Sequence, residues 1–393
     1  VIRYHHRIEK LTVMTIASAV EDLPKTSRAA VLADFNAPLE IREYPLPTSL
    51  APGALLVRME AATVCGSDYK LWAGRMGGAL PLTLPLIPGH EFAGRIVAFG
   101  EGERVDSMGA TLELGDRIVF VHSNCGHCDY CTLFHQPALC RDRDMYTFTS
   151  SDQPPHLFGG FSEYLHVFPK SGRVRIPDEV SSPIASASSC ALRTVVHSFD
   201  RLGRLEPWQS MVIQGSGPLG LFATAMAHHA GAGQIIVIGG PDDRLELATE
   251  YGATDVVSVA DVPDPDARVE AVMELTGGKG SDAVIELCGA RTALLEGLQM
   301  VRVDGRYVVT GPMDEPGTEV PIRPGYLTGK QVNIMGAWSA DISHYWKALE
   351  FVRRTAGKYD FSKMTTSQYS LENATDALHR MGTYADIKPV VIP

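Results

Sequence analysis

The residues best equipped for chemistry in this chain are sulfur and nitrogen donors. Four of its seven cysteines, Cys125, Cys128, Cys131 and Cys140, fall in NCGHCDYCTLFHQPALC with C-x2-C-x2-C-x8-C spacing. Thiolates spaced in this way suit tetrahedral coordination of one zinc ion, and soft sulfur selects zinc or iron–sulfur over magnesium or calcium. Four protein ligands leave no open position, so such an ion would brace a loop and do no chemistry; free or disulfide-bonded loop cysteines are the alternative. The remaining thiols are Cys65, Cys190 and Cys288. Cys65 and Cys190 with His90 of PGHEF would give two sulfurs, one nitrogen and an open fourth position, as a catalytic zinc requires. These three lie far apart in sequence and spacing does not join them. Taken singly, a buried cysteine is inert core and a lone histidine a hydrogen-bonding one.

A second kind of chemistry is written in glycine. Gly215, Gly217 and Gly220 of QGSGPLG form G-x-G-x-x-G, with Pro218 and Leu219 between the last two, directly after the apolar run SMVIQ and before a helical pattern. Glycine there permits a tight turn, close backbone approach to a pyrophosphate and tight strand–helix packing, and the helix N-terminus offers free N–H groups to the phosphates. An acidic residue that binds the adenosine ribose is expected about 20 positions later. The second strand instead ends IIVIGGPDDR, with Gly239 at the acidic position and Gly240 after it. Asp242 and Asp243 would repel a 2′-phosphate, whereas Arg244 would attract one if it folded back. On balance NAD is favoured over NADP.

Two textures must position these groups. From about 28 to 190, short alternating apolar runs broken by Gly and Pro (RAAVLADF, ALLVRMEAA, EFAGRIVAFG, GDRIVFV, GFSEYLHVF) read as strands of an antiparallel, loop-rich domain. From about 205 strands alternate with amphipathic helices, which implies a parallel sheet covered on both faces. The chain of 393 residues is long enough for two domains, and its net charge of -11 argues against a nucleic-acid surface or an anionic membrane. No apolar run reaches the roughly 20 residues of a membrane helix. Residues 1–27 read as a polar leader, expected to be poorly ordered, with no secretory signal; Met14 is a candidate first residue. Thiolate ligands fit a reducing compartment, so the cytoplasm is expected.

GHE, CGSD, the four-cysteine lobe, GGFSEY and GSGPLG occur here in one order, and together they resemble the zinc-dependent medium-chain alcohol dehydrogenase family from about Arg28 to Pro393. That resemblance implies an α/β chain: a GroES-like, mostly antiparallel β catalytic domain (28–191 and 340–393, zinc lobe about 122–142) and a Rossmann doubly wound NAD(P)-binding domain (192–339). It implies two zinc ions per chain, one held by the four-cysteine lobe and one by Cys65, His90 and Cys190 with Glu91 beside them. Asp68 would orient His90, and Ser67 would take the alcohol proton. The next relay position holds Lys70 where many members have His. Leu219 and Thr194 would contact the nicotinamide ring, and Lys388 the pyrophosphate. The lobe has eight residues between Cys131 and Cys140 where seven are usual.

The implied reaction is hydride transfer between an alcohol and NAD(P), giving a ketone or aldehyde, in a homodimer or homotetramer. The absence of a basic cluster in the sequence favours an uncharged, fairly apolar secondary alcohol. LWAGRMGGALPLTLPLIPG, with Trp72, and Trp338 are candidate pocket walls, or ordinary core aromatics. Two alternatives stand beside this reading: a zinc-independent quinone or enoyl reductase of the same fold, and a non-catalytic nucleotide-binding protein.

Overall fold

Alternating apolar runs become a mostly antiparallel sheet, with one parallel pair at its edge, in the computed structural model, which describes residues 23–76, 82–311 and 319–393. Its order is Gln368–Tyr369, Val390–Val391, Leu55–Thr63, Phe92–Phe99, Arg117–Ser123 and Ser171–Arg175, with Tyr164–Val167 also on Leu55–Thr63. Leu55–Thr63 is the central strand, and seven of its nine residues are buried. Phe92, Phe120 and Tyr146 fill the interior behind it, with ring centroids 4.3–5.2 Å apart. A separate ribbon pairs Thr26–Val31 with Glu40–Pro45. Thr26 and Ser27, read from sequence as the end of the leader, are therefore strand residues opposite Pro45 and Tyr44. Their alternating burial is the period-2 signal that the polar context hid. Residues 1–22 of that leader lie outside the described residues.

The second sheet is wholly parallel: Asp255–Ser258, Gln234–Gly239, Ser210–Gln214, Ser281–Glu286, Val301–Val309 and Asn333–Gly336 in spatial order. Numbered along the chain that is 3-2-1-4-5-6, the Rossmann order, which reverses between Ser210–Gln214 and Ser281–Glu286. A ligand crevice belongs at the carboxyl ends of the strands at that reversal. Runs such as SMVIQ and QIIVIG carry almost no polar residue because Pro218–Ala230, Asp242–Glu250, Pro265–Leu275 and Ala293–Met300 cover the sheet. The two-sheet architecture expected from sequence is the one observed.

The sheets share a seam. Ser182–Ala187 runs into a π-helical turn, Ser188–Leu192, and then into the helix Arg193–Leu202. Ile342–Thr355 packs here, and Tyr345 Oη donates to Ala185 O at 2.9 Å. Val119 and Val121 of the antiparallel sheet join Ile213 and Leu221 of the parallel one in one buried cluster with these helices. A π-bulge inside a helix redirects side chains and is often found at functional sites; this one carries Cys190. Among the described residues no helix is long and apolar enough to cross a membrane.

Candidate active site and metal centres

Cys65 leaves the central strand as the N-cap of the short helix Gly66–Trp72, and Asp68 is that helix's third residue. The Asp68 carboxylate, 1% exposed, accepts from Cys65 N at 2.9 Å and Gly89 N at 3.3 Å, and pairs with His90 Nδ1 at 2.9 Å. With Nδ1–H held by a carboxylate, His90 Nε2 keeps its lone pair for a ligand. Cys190 arrives from the π-turn, and one donor atom each of Cys65, His90, Glu91 and Cys190 lies within 4.8 Å of the others. Donors about 2.0–2.3 Å from a tetrahedral zinc lie roughly 3.3–3.8 Å from one another, so the cluster has the chemistry and the size for that ion. Ser67 Oγ stands 3.3 Å from His90 Nε2.

The electrostatics match a cation site. A hydrogen bond from Cys190 holds the Cys65 thiol well below its ordinary value, while Cys190 is pushed up by the same bond and by burial. Burial works against the charged form of His90, but Asp68 together with Cys190 and Cys65 outweighs it and the ring is raised. Glu91 is fully buried. Desolvation pushes its carboxyl up to about 7, with the Lys388 ammonium pulling the other way. Lys388 Nζ donates to Glu91 Oε1 at 2.7 Å and Thr63 Oγ1 to Oε2 at 2.5 Å, with Ser186 Oγ 3.0 Å from Thr63. This corrects the expectation for Lys388. Its ammonium is 1% exposed and paired with Glu91 inside the cluster, not set out for a pyrophosphate.

The four lobe sulfurs also converge, with Sγ–Sγ separations of 3.5 Å (Cys128–Cys131 and Cys125–Cys140), 3.8 Å (Cys128–Cys140) and 4.0 Å (Cys125–Cys131). Sulfurs bound about 2.3 Å from one tetrahedral zinc would sit roughly 3.8 Å apart. Cys125 N and Cys128 N point at Cys140 and Cys125 sulfurs, 3.4 Å each, as thiolate acceptors require. The single turn Pro137–Leu139 leads into Cys140. Cys288 is exposed and belongs to neither cluster.

At the glycine loop, Gly215 has φ +117° and its N–H donates to Ile238 O at 2.7 Å. A Cβ on Gly220 would lie 1.8 Å from Gly215 O, whereas one on Gly217 would meet nothing within 4 Å. The loop is thus packed tight behind and open in front, the cradle a phosphate needs at the N-terminus of Pro218–Ala230. Leu219 is half-buried and Thr194 is 9% exposed. Gly239 has a physical reason for not being acidic: its Cβ would come 2.3 Å from Ser216 Oγ, which bonds to Gly240 N at 2.8 Å and Gly240 O at 3.0 Å. Arg244 does not fold back toward a ribose. It is 2% exposed, and its Nη2 donates to Tyr384 O at 3.0 Å and Asp386 O at 2.7 Å.

Trp72 is core, with Nε1 donating to Ala37 O at 2.7 Å and its ring edge-on to His379 at 4.7 Å. Trp338 is half exposed, with the Arg143 guanidinium 5.2 Å over its ring. Residues 77–81 of the Leu- and Pro-rich segment lie outside the described residues; Lys70 is in the last turn of Gly66–Trp72. Sequence reasoning missed Thr63 and Ser186, whose hydroxyls stand behind Glu91 and lie on a strand and a helix that carry no motif.

Residues 51–178 match the model of alcohol dehydrogenase GroES-like domains, and residues 218–354 that of zinc-binding dehydrogenases. The chain is 34% identical over 366 residues to a 5-exo-hydroxycamphor dehydrogenase of Pseudomonas putida, covering 93% of this chain and 98% of that one. It is 29% identical to a sorbitol dehydrogenase of Bacillus subtilis, covering 91% and 94%. The crystal structure of an alcohol dehydrogenase from Thermotoga maritima superposes with a TM-score of 0.86 at 33% identity, covering 94% of this chain and 99% of that chain.

Proposed function

Because the chain belongs to the zinc-dependent medium-chain alcohol dehydrogenase family and is an alcohol oxidoreductase, we propose that Cys65, His90 and Cys190, with Glu91 beside them, hold its catalytic zinc. Cys125, Cys128, Cys131 and Cys140 hold a second, structural one. The observation that carries this reading is the gathering of four donors from three distant segments within 4.8 Å, with His90 already oriented by Asp68. Bound zinc supplies Lewis acidity to the alcohol hydroxyl, and bound dinucleotide accepts the hydride.

The chain's own residues do the rest. Ser67 Oγ, 3.3 Å from His90 Nε2, receives the alcohol proton. The proton then leaves along the face of Gly66–Trp72, on which Lys70 follows one turn later. Asp68 fixes the tautomer and tilt of His90. The Glu91–Lys388 pair sits behind the ligands as a buried, mutually neutralising couple. Gly215, Gly217, Pro218 and Gly220 receive the pyrophosphate, with Leu219 and Thr194 toward the nicotinamide. NAD is preferred over NADP: Asp242 and Asp243 open the helix after the second strand, and Arg244 is engaged elsewhere. We divide the chain into a GroES-like domain (28–191, 340–393) and a Rossmann domain (192–339). The exposed edge strand Asn333–Gly336 supports pairing of two chains through the parallel sheet. The zinc-free reductase reading has no use for the four-donor cluster.

The test is metal content by mass spectrometry with turnover alongside. Two zincs per chain should fall to one in Cys65→Ser, and Ser67→Ala should keep both while losing most alcohol oxidation. One zinc or none in the wild type removes the metal reading; near-normal turnover by Ser67→Ala removes Ser67 from the relay.

A further inference from the structure

The apolar run of Ser281–Glu286 ends on a carboxylate that the mechanism above does not use. Glu286 is fully buried. Its Oε1 accepts from Cys288 N at 2.8 Å and Gly289 N at 2.5 Å, and its Oε2 from Gly311 N at 3.0 Å. A carboxylate withdrawn from water is costly unless donors receive it. Here they come from two loops, one after each of the neighbouring parallel strands Ser281–Glu286 and Val301–Val309. The loops touch: a Cβ on Gly311 would lie 2.6 Å from Gly289 N and 2.8 Å from Cys288 N. Cys288 is exposed and Gly289, Thr310 and Gly311 are half-buried, so both loops are open in front while the group that joins them is closed off behind.

The joined loops border the glycine loop. Leu287 N donates to Gln214 O at 2.9 Å, and a Cβ on Gly215 would come 3.1 Å from Cys288 Cβ. Ser210–Gln214 and Ser281–Glu286 are the strands between which the sheet order reverses, so Glu286 stands at the edge of the dinucleotide crevice. Gly239 and the strand beyond it lie on the adenosine side of that crevice. The second nucleotide belongs over the other half of the sheet, whose strands end at Glu286, Val309 and Gly336. Thr310 carries the connection toward the metal centre. Its Oγ1 lies 3.0 Å from Ser198 Oγ, which itself donates to Thr194 O at 2.9 Å, so the Thr310 hydroxyl is the donor of the pair. Ser198 and Thr194 are on the helix Arg193–Leu202, which follows directly on the π-turn bearing Cys190.

We infer that Glu286 is a positioning residue for hydride transfer: it locks the loops after Ser281–Glu286 and Val301–Val309 together and, through Thr310 and Ser198, fixes the wall of the nicotinamide half of the crevice relative to the helix beside the metal ligands. This rests on the dinucleotide-dependent oxidation proposed above. Misplacing reacting groups by about 1 Å costs on the order of 100-fold in rate, so a loop tie that touches no reacting atom still governs turnover. Glutamine at 286 cannot keep the tie. Either its oxygen stays on Cys288 and Gly289 and an NH2 group turns against the Gly311 N–H, or it keeps Gly311 and turns that group against the other two.

The experiment compares zinc-loaded wild type, Glu286→Gln and Ser198→Ala. Calorimetry reads the affinity for NADH and for ADP-ribose, which has the same adenosine and pyrophosphate but no nicotinamide; NADPH and 2′-phospho-ADP-ribose replace them if the wild type binds NADPH more tightly. In Glu286→Gln the preference for the whole dinucleotide over its ADP-ribose part should fall about fivefold or more, with ADP-ribose binding and both zincs retained. Single-turnover hydride transfer at saturating dinucleotide and alcohol should slow about tenfold or more, with the KM for alcohol little changed. Ser198→Ala, which leaves Glu286 in place, should show the same pattern at smaller size. An unchanged preference, whether both ligands weaken equally or neither does, overturns the inference by making Glu286 a support of the whole fold or of nothing in the crevice. Wild-type hydride transfer in Glu286→Gln overturns it as well. Should Glu286→Gln not fold, Ser198→Ala decides alone by the same two readouts. If the wild type oxidised no alcohol, the oxidation reading would fall, while the NADH and ADP-ribose comparison would still decide whether Glu286 shapes the nicotinamide half.

Discussion

Replacing Asp68 by asparagine tests how much of the metal site is built by a residue that does not touch the metal. The carboxylate takes two backbone N–H groups, from Cys65 and Gly89, and the His90 Nδ1–H, all at 2.9–3.3 Å. Asparagine is nearly isosteric but has one acceptor oxygen and an amide that donates. If that oxygen serves Gly89 and His90, the amide faces the Cys65 N–H, donor against donor. If it turns the other way, His90 loses its acceptor. Either arrangement leaves a buried donor unsatisfied, at about 1–3 kcal/mol, and removes the charge that holds the ring. About 1.4 kcal/mol is a tenfold change, which agrees with the roughly 10–100-fold loss of metal affinity seen when such outer partners are removed. The assay is chelator competition, with the four-cysteine site in the same molecule as internal control. Its affinity should not move while that of the Cys65–His90–Cys190 site falls at least tenfold. An unchanged catalytic-site affinity would refute the claim that Asp68 positions His90.

Other consequences follow from single contacts. Gly239→Ala should destabilise the protein by about 1–3 kcal/mol, because the new Cβ meets Ser216 Oγ at 2.3 Å. Ser216→Gly in the same chain should recover most of the loss in urea denaturation. Asp341 caps Ile342–Thr355 by accepting from Ser343 N at 2.8 Å. Burial opposes its charge, but hydrogen bonds from His344 and Ser343 hold its carboxyl well below the usual 3.8. Because the folded value is the depressed one, this stability is present above the unfolded value and lost as pH falls toward the folded one. Asp341→Ala should therefore cost about 1 kcal/mol at neutral pH, and the gap to wild type should narrow below about pH 4; a gap that widens on acidification would contradict the cap.

How much of this could be read from the chain depends on whether a signal is local. The glycine loop is local, because turn, phosphate cradle and helix start are consecutive residues, and their motif carries its own geometry. The four-cysteine lobe is local for the same reason. The alternation of strands and helices after about residue 205 is a periodic signal, and it yielded the parallel sheet. Cys65, His90 and Cys190 are not local; their approach depends on the central strand, the turn at Gly89 and a π-turn that no periodicity announces. Lys388 misled because a basic residue near the C-terminus says nothing about which acid it meets once Val390–Val391 is drawn into the first sheet beside Leu55–Thr63. Gly239 shows the opposite failure. The missing acidic residue was visible, but its cause, the Ser216 hydroxyl 23 residues earlier, is a packing fact.

The Glu91–Lys388 couple allows the sharpest separation of charge from shape. Both groups are at most 1% exposed, and the ammonium lies 2.6–2.7 Å from the two carboxylate oxygens. Desolvation of two ions consumes most of the attraction between them, so the couple as a whole contributes little to stability. Removing one member is different, because it strands the other in a medium that cannot solvate it, at about 3–5 kcal/mol. Lys388→Met should therefore destabilise strongly in urea denaturation, although methionine fills a similar volume. The double variant Glu91→Gln with Lys388→Met should regain most of that loss, since Thr63 can still donate to the amide oxygen. If Lys388→Met alone stayed within about 1 kcal/mol of wild type, the lysine would have no uncompensated charge to leave behind, and Glu91 would have to be neutral in the folded protein. If the double variant were as unstable as the single one, packing around Lys388 and not its charge would be what the site requires.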